Sequence, residues 1–71
     1  MNKENPERIY DTIITELRNK KIKRYMLAQE IGMKNSTFSD QLNKLKKGEY
    51  ISIPVLLAIG KALDKELIFF A

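Results

Sequence analysis

Apolar residues recur at helical spacing in four stretches of this 71-residue chain. In the first stretch, Ile9, Ile13 and Leu17 lie four positions apart and are separated mostly by polar residues, a pattern typical of an amphipathic helix. The later stretches follow the same period, and the segments between them contain glycine, serine or asparagine. The pattern therefore predicts an all-α fold, with helices at about 6–20, 24–31, 35–46 and 53–63 and a short C-terminal turn or strand at 66–70.

Residues that favour helix ends stand between these stretches. Asn5 is a good N-cap and Pro6 is tolerated in a first turn, so the first helix is predicted to begin there. Gly48 ends the third helix, because glycine readily takes the left-handed conformation that terminates many helices. Ser52 is predicted to cap the fourth helix.

Gly32 lies inside the segment from Leu27 to Leu42, whose apolar residues would otherwise fit one long helix. As a C-terminal cap it ends a short second helix, and either Asn35 or Ser36 opens the third. Ala28, four positions before Gly32, is small enough to let the two helices cross closely. Two short helices joined by a tight turn form the helix-turn-helix pattern.

Length and composition narrow the possible functions. The chain fits a single domain, 1–71, whose small core leaves little room for a deep catalytic cleft. It contains no cysteine and no histidine, which excludes disulfides, the usual zinc sites and Cys/His nucleophilic pairs. We therefore expect a protein that is not an enzyme and that uses no metal ion, cofactor or small-molecule ligand.

The chain is basic, with a formal net charge of +4 and a pI of about 9.5. Five cations lie within Arg18–Arg24 and three more within Lys44–Gly48. Either run alone is equally well explained as a solvated surface, but together they flank the predicted helix-turn-helix, which favours a polyanionic partner. No segment approaches the roughly 18 apolar residues of a membrane span, and the N-terminus is too polar for a signal peptide, so we expect a cytoplasmic protein without a membrane partner.

Three segments resemble the Cro/CI (Xre-type) helix-turn-helix family, which has the lambda-repressor-like fold. LAQEIG matches the family's leucine and alanine with a glycine four positions on, STFSDQL is similar to many of its recognition helices, and LLAIGKALDKELI is similar to its fourth and fifth helices. Arg24 stands where the family often has glutamine, and Gln41 stands where many members have an apolar residue. The resemblance spans Ile14 to about Phe69 and implies a compact four- to five-helix bundle with helices 2 and 3 as the helix-turn-helix.

The resemblance also implies a DNA-binding surface, because in this family the third helix lies in the major groove and the second crosses the backbone. Asp40 has two interpretations, as an acceptor for the cytosine amino group or as a solubilising residue of the helix. The candidates for contact with bases are Lys34, Asn35, Ser36, Ser39 and Asp40. The candidates for contact with phosphates are Lys23, Arg24, Thr37, Lys44, Lys46 and Lys47.

The function that the resemblance implies is that of a sequence-specific double-stranded DNA-binding transcriptional regulator, a repressor that binds a palindromic operator as a homodimer. The tail LIFFA offers a dimerisation surface at Ile68, Phe69 and Phe70, although two of its four large apolar residues are expected to complete the core. A second interpretation keeps the fold but assigns it to protein interaction, as an antitoxin-like or adaptor module. The mixed helix face around Asp40 and Gln41 favours that interpretation.

Overall fold

The computed structural model describes residues 5–65, which form four helices and no strand. The helices are α1 (Pro6–Lys20), α2 (Arg24–Glu30), α3 (Asn35–Lys46) and α4 (Ile53–Leu63). The prediction of an all-helical fold is confirmed for this part of the chain. α2 ends one residue before the predicted limit of 24–31, and the turn or strand predicted at 66–70 lies outside the described residues. None of the four helices combines the length and the apolar character needed to cross a membrane.

A single buried cluster of apolar side chains holds the helices together. α1 packs against α3 and α4, and α2 packs against the same two helices. Phe38, in the first turn of α3, is the largest side chain that is completely buried. Ile51, which lies in the loop before α4 and was not predicted as a core residue, is also buried. The cluster consists of Ile9, Ile13, Leu17, Leu27, Ala28, Phe38, Leu42, Leu45, Ile51, Leu56, Ile59 and Leu63.

The starts of the helices differ in how they are capped. The side-chain oxygen of Asn5 accepts a hydrogen bond from the backbone N–H of Arg8 at 2.8 Å, so the predicted cap of α1 is confirmed. Ser52 occupies the N-cap position of α4, but its side chain makes no capping hydrogen bond. α3 begins at Asn35, with Lys34 as its N-cap residue. The sequence left the choice between Asn35 and Ser36 open because both residue types favour helix starts.

The four helices of the described chain share one mode of termination. Each is followed by a residue with positive φ, namely Lys21, Gly32, Gly48 and Asp64. The next backbone N–H then donates to the carbonyl five residues earlier, as in the Schellman motif. These bonds join Ile22 to Leu17 (2.9 Å), Met33 to Ala28 (2.8 Å), Glu49 to Lys44 (2.8 Å) and Lys65 to Gly60 (2.9 Å). The two glycines were predicted as helix ends from the sequence, whereas Lys21 and Asp64 were not.

We expect Gly32→Ala to lower the free energy of unfolding by about 1 kcal/mol, because a Cβ atom disfavours the left-handed backbone conformation. Gly32 has φ +75, and a Cβ added there meets nothing within 4 Å. The loss therefore comes from the backbone alone and not from a clash. Urea unfolding followed by circular dichroism measures it.

Lys21→Gly is the matched control, since Lys21 holds a similar conformation (φ 57) with a side chain attached. Removing that side chain should raise the free energy of unfolding by up to about 1 kcal/mol. Equal unfolding midpoints for wild type and Gly32→Ala would contradict the turn described between α2 and α3.

Candidate nucleic-acid interface

α3 has a polar face on the side opposite its buried residues. Phe38, Leu42 and Leu45 are completely buried on the inner side, where α3 packs against α1 and α2. Steps of three or four residues along the outer side connect exposed polar residues that share one face of the helix. We call this set the α3 stripe, and its members are Ser36, Asp40, Asn43 and Lys47.

The candidates for base contact divide between this stripe and its edge. Ser36 and Asp40 belong to the stripe and are exposed. Lys34 is exposed immediately before the helix, at the N-cap. Asn35 and Ser39 lie one turn apart on a flank of α3, and Ser39 is half-buried. The structure thus brings Ser36 and Asp40 together at the centre of the face and leaves Ser39 the least accessible of the five.

Three of the candidates for phosphate contact lie together along α3. Thr37, Lys44 and Lys47 line an open depression that also includes Asp40 and Asn43. Lys46 is exposed as well, but consecutive helical residues point about 100° apart, so it faces away from Lys47. The depression is lined in full by Thr37, Asp40, Gln41, Asn43, Lys44, Lys47 and Glu49.

The two remaining candidates, Lys23 and Arg24, lie at the start of α2. The Nη2 atom of Arg24 donates a hydrogen bond to the hydroxyl oxygen of Tyr10 in α1 at 3.3 Å. A guanidinium carries five N–H donors, so Arg24 retains donors for a phosphate while this bond restricts its orientation. The sequence analysis did not identify this contact between Arg24 and Tyr10. The two residues are 14 positions apart, and no sequence motif joins them.

The start of α3 is suited to an anion. Its N-cap side chain, that of Lys34, makes no capping hydrogen bond, and the first turn contains no acidic residue. By contrast, α1 has the Asn5 cap and Glu7 in its first turn. The first backbone N–H groups of a helix carry partial positive charge, and Lys34 adds a full charge beside them. An acid or a capping side chain would have competed with a phosphate at this position.

Asn43 and Gln41 were also missed as candidates. Asn43 lies in the centre of the α3 stripe, seven positions after Ser36, and Asn43 and Gln41 both line the depression. Helical spacing from Ser36 and Asp40 would have found Asn43, because positions i, i+4 and i+7 share a face. The hydroxyl, carboxylate and amide groups of the stripe supply both hydrogen-bond donors and acceptors.

The region that contains α2 and α3 carries a net positive charge. Between Lys23 and Glu49 the chain has six lysines and arginines and three acidic residues.

Within residues 5–65 no three histidine, cysteine, aspartate or glutamate side chains are grouped so that they could hold a metal ion. The predicted dimerisation residues Ile68, Phe69 and Phe70 lie outside the described residues.

Comparison with known proteins gave no match among protein-family models, curated proteins or solved structures. The resemblance to the Cro/CI family therefore depends on the sequence segments themselves. The assignment of a function depends on the geometry of α2 and α3.

Proposed function

We propose that this protein is a sequence-specific double-stranded DNA-binding transcriptional regulator with a lambda-repressor-like helix-turn-helix formed by α2 and α3. The observation that carries the proposal is the α3 stripe, an exposed polar face on a helix whose other face is fixed in the core. The major groove of B-DNA is wide enough to accept one α-helix. α3 would enter the groove with its stripe against the base edges.

The packing of α3 supports this role. α2 and α3 are joined by residues 31–34 alone, and Ile31 and Met33 in this turn are partly buried against the core. The hydrogen bond from the N–H of Met33 to the carbonyl of Ala28 closes the turn. A helix that reads bases must be held at a defined angle, because its side chains form hydrogen bonds to base edges only over a narrow range of distances.

The side chains of the stripe have the chemistry for direct base readout. An asparagine amide can bond adenine through two hydrogen bonds, which suits Asn43 in the centre of the face. The carboxylate of Asp40 can accept a hydrogen bond from the amino group of cytosine, and the hydroxyl of Ser36 can donate or accept. The sequence preference would then come from these three residues, with Asn35 contributing from the flank.

Cations at both ends of the α2–α3 unit would bind the phosphate backbone. Lys23 and Arg24 lie where α2 begins, and Lys44 and Lys47 lie where α3 ends. Contacts with phosphate position a protein on the duplex and supply much of its affinity without reading sequence. The hydrogen bond from Arg24 to Tyr10 would fix the orientation of the Arg24 guanidinium for its contact with a phosphate.

A single domain of this kind contacts only a few base pairs, so we propose a homodimer on a palindromic operator, acting as a cytoplasmic repressor. A dimer bound to the operator would repress transcription because it covers DNA that the polymerase needs to contact. The same fold could instead serve protein interaction, as an antitoxin-like or adaptor module. Experiments on duplex binding separate the two, because only the first function depends on phosphate contacts.

We expect the double variant Arg24→Ala/Lys47→Ala to bind duplex DNA more weakly than wild type. Loss of two phosphate contacts should reduce the slope of log affinity against log salt concentration by about 2. Fluorescence anisotropy of a labelled duplex, titrated at several salt concentrations, measures both quantities.

The matched control is Lys20→Ala/Lys65→Ala, which removes the same charge from two residues outside α2 and α3. The Nζ atoms of Lys20 and Lys65 lie 3.7 Å and 3.8 Å from the carboxylate oxygens of Glu16 in α1. Its salt slope should stay close to that of wild type. If both double variants weakened binding equally, net charge and not a defined interface would explain the affinity, and the protein-interaction function would be preferred.

Lys34→Ser should stabilise the fold and weaken DNA binding in the same protein. Serine is a favoured N-cap, so the substitution is expected to raise the free energy of unfolding by about 0.5–1 kcal/mol. The affinity for duplex DNA should fall because a cation at the start of α3 is lost. Chemical unfolding and anisotropy measure the two effects separately.

Lys20→Ser is the control for this variant, because it removes a cation from α1 without changing a helix cap. It should lower the affinity for DNA less than Lys34→Ser does. Undiminished affinity in Lys34→Ser would remove Lys34 from the interface.

A further inference from the structure

Tyr10 and Arg24 form a hydrogen-bonded pair between α1 and α2. The Nη2 atom of Arg24 donates to the hydroxyl oxygen of Tyr10 at 3.3 Å. The ring of Tyr10 is partly buried against the core, which restricts the position of its hydroxyl, whereas Arg24 is exposed. A phenylalanine could pack the same ring, so the core does not require the hydroxyl. The pair therefore has polar groups that the fold does not need.

Both members of the pair keep donors that are not used within residues 5–65. A guanidinium has five N–H groups, and Tyr10 accepts from one of them. The hydroxyl accepts this bond through a lone pair, so its own hydrogen remains to be donated. The ion pairs in this part of the chain are those of Lys20 and Lys65 with Glu16, and neither includes Arg24. The charge of Arg24 is thus available to an anion from outside.

The chemistry of these donors suits a phosphate. The planar fork of a guanidinium matches the oxygens of a phosphate and can donate to two of them. A hydroxyl that accepts from a cation is polarised by it, which strengthens the bond that its own hydrogen donates. Because the two groups are within hydrogen-bond distance of each other, the oxygens of one phosphate can accept from both.

The pair lies near the end of α3. Glu7 is three positions before Tyr10, so the two residues share a face of α1. An oxygen of the Glu7 carboxylate lies 3.6 Å from the position that a Cβ atom on Gly48 would occupy. Gly48 follows Lys47, the last member of the α3 stripe. One helical turn is about 5.4 Å along the axis, so a duplex seated on the stripe can also contact the pair.

We propose that the hydroxyl of Tyr10 donates directly to a phosphate of the DNA backbone that Arg24 also binds. The inference rests on the proposed function and deepens it, because it adds a phosphate ligand from α1, a helix outside the helix-turn-helix. Tyr10 then does more than orient Arg24. The two side chains form one binding site for a single phosphodiester group.

Tyr10→Phe removes the donor and keeps the ring. Fluorescence anisotropy should show that the affinity of the full chain for duplex DNA falls about threefold to tenfold, as expected for one lost hydrogen bond. The slope of log affinity against log salt concentration should stay at the wild-type value, because that slope reflects charged contacts and a hydroxyl has no charge. A slope reduced by about 1 would mean that the Arg24 contact is lost as well, and Tyr10 would then only orient Arg24.

Tyr25→Phe is the matched control. It removes the hydroxyl of an exposed tyrosine that is next to Arg24 in the sequence, and it should leave the affinity unchanged. Circular dichroism checks that both variants keep the fold. Unchanged affinity in Tyr10→Phe, or an equal loss in the two variants, would overturn the proposal.

A chain with O-methyltyrosine at position 10 separates donation from orientation. This side chain keeps the oxygen that accepts from Arg24 but lacks the hydroxyl hydrogen. It should bind DNA as weakly as Tyr10→Phe does. Wild-type affinity in this variant would contradict direct donation to a phosphate.

A double-mutant cycle tests whether the two residues share one phosphate. Residues that act on the same group have interdependent effects. In a chain that already carries Arg24→Ala, Tyr10→Phe should lower the affinity by less than about twofold, because the phosphate is no longer held beside the hydroxyl. If the two losses simply multiply, the residues act on separate groups and the proposal is wrong.

The outcomes separate this inference from the proposed function. If the wild type binds duplex DNA and Tyr10→Phe binds equally well, the inference fails and the proposed function stands. If the affinity depends on Tyr10 but no sequence is selected from a random library, the phosphate site holds and sequence-specific regulation fails. A wild type that binds no duplex overturns both.

Discussion

The burial of Phe38 is the contact on which the rest of the structure depends. Its ring is completely enclosed in the first turn of α3, and Leu42 and Leu45 continue the same buried face toward the end of the helix. In a domain this small, one large side chain accounts for a considerable share of the apolar surface removed from water. Because α1 and α2 pack against this face, the opposite face of α3 points in one fixed direction. The proposed reading surface is a consequence of that anchoring.

The second constraint is the chain's route between helices. Each described helix ends with one left-handed residue and a hydrogen bond that reaches five residues back, so the connections take few residues and limited conformations. Short turns order few connecting residues, so fixing the helices costs little conformational entropy in a domain that has no disulfides. At Gly32 this turn sets α2 relative to α3. The proposed function relies on that relationship more than on any single polar side chain.

Much of this architecture could be predicted from the sequence. The period of Ile9, Ile13 and Leu17 indicated a helix with one buried face, and the glycines at 32 and 48 indicated two helix ends, because these signals are local. The left-handed conformation of Lys21 was not predictable, since a lysine adopts it only when the following contacts require it. The start of α3 was ambiguous because Asn35 and Ser36 both favour a helix start, whereas the N-cap residue in the structure is Lys34.

The features of the candidate sites were harder to predict than the helices. The hydrogen bond from Arg24 to Tyr10 joins residues that only the packing of α1 near α2 brings together. By contrast, the inner face of α4 was visible in the sequence, because Leu56, Ile59 and Leu63 recur on one side of the helix. Asn43 was missed, although its helical spacing from Ser36 and Asp40 places it on the same face. Local patterns thus locate the elements, and the tertiary packing decides which side of each element meets a partner.

The central claim is that α3 reads a DNA sequence, and selection of bound duplexes from a random library tests it most directly. The purified full chain is incubated with the library at near-physiological salt, and the retained duplexes are sequenced over successive rounds. The account predicts enrichment of an inverted repeat whose half-sites are centred about one helical turn apart. A library that stays random, with binding that simply fades as salt is raised, would contradict it.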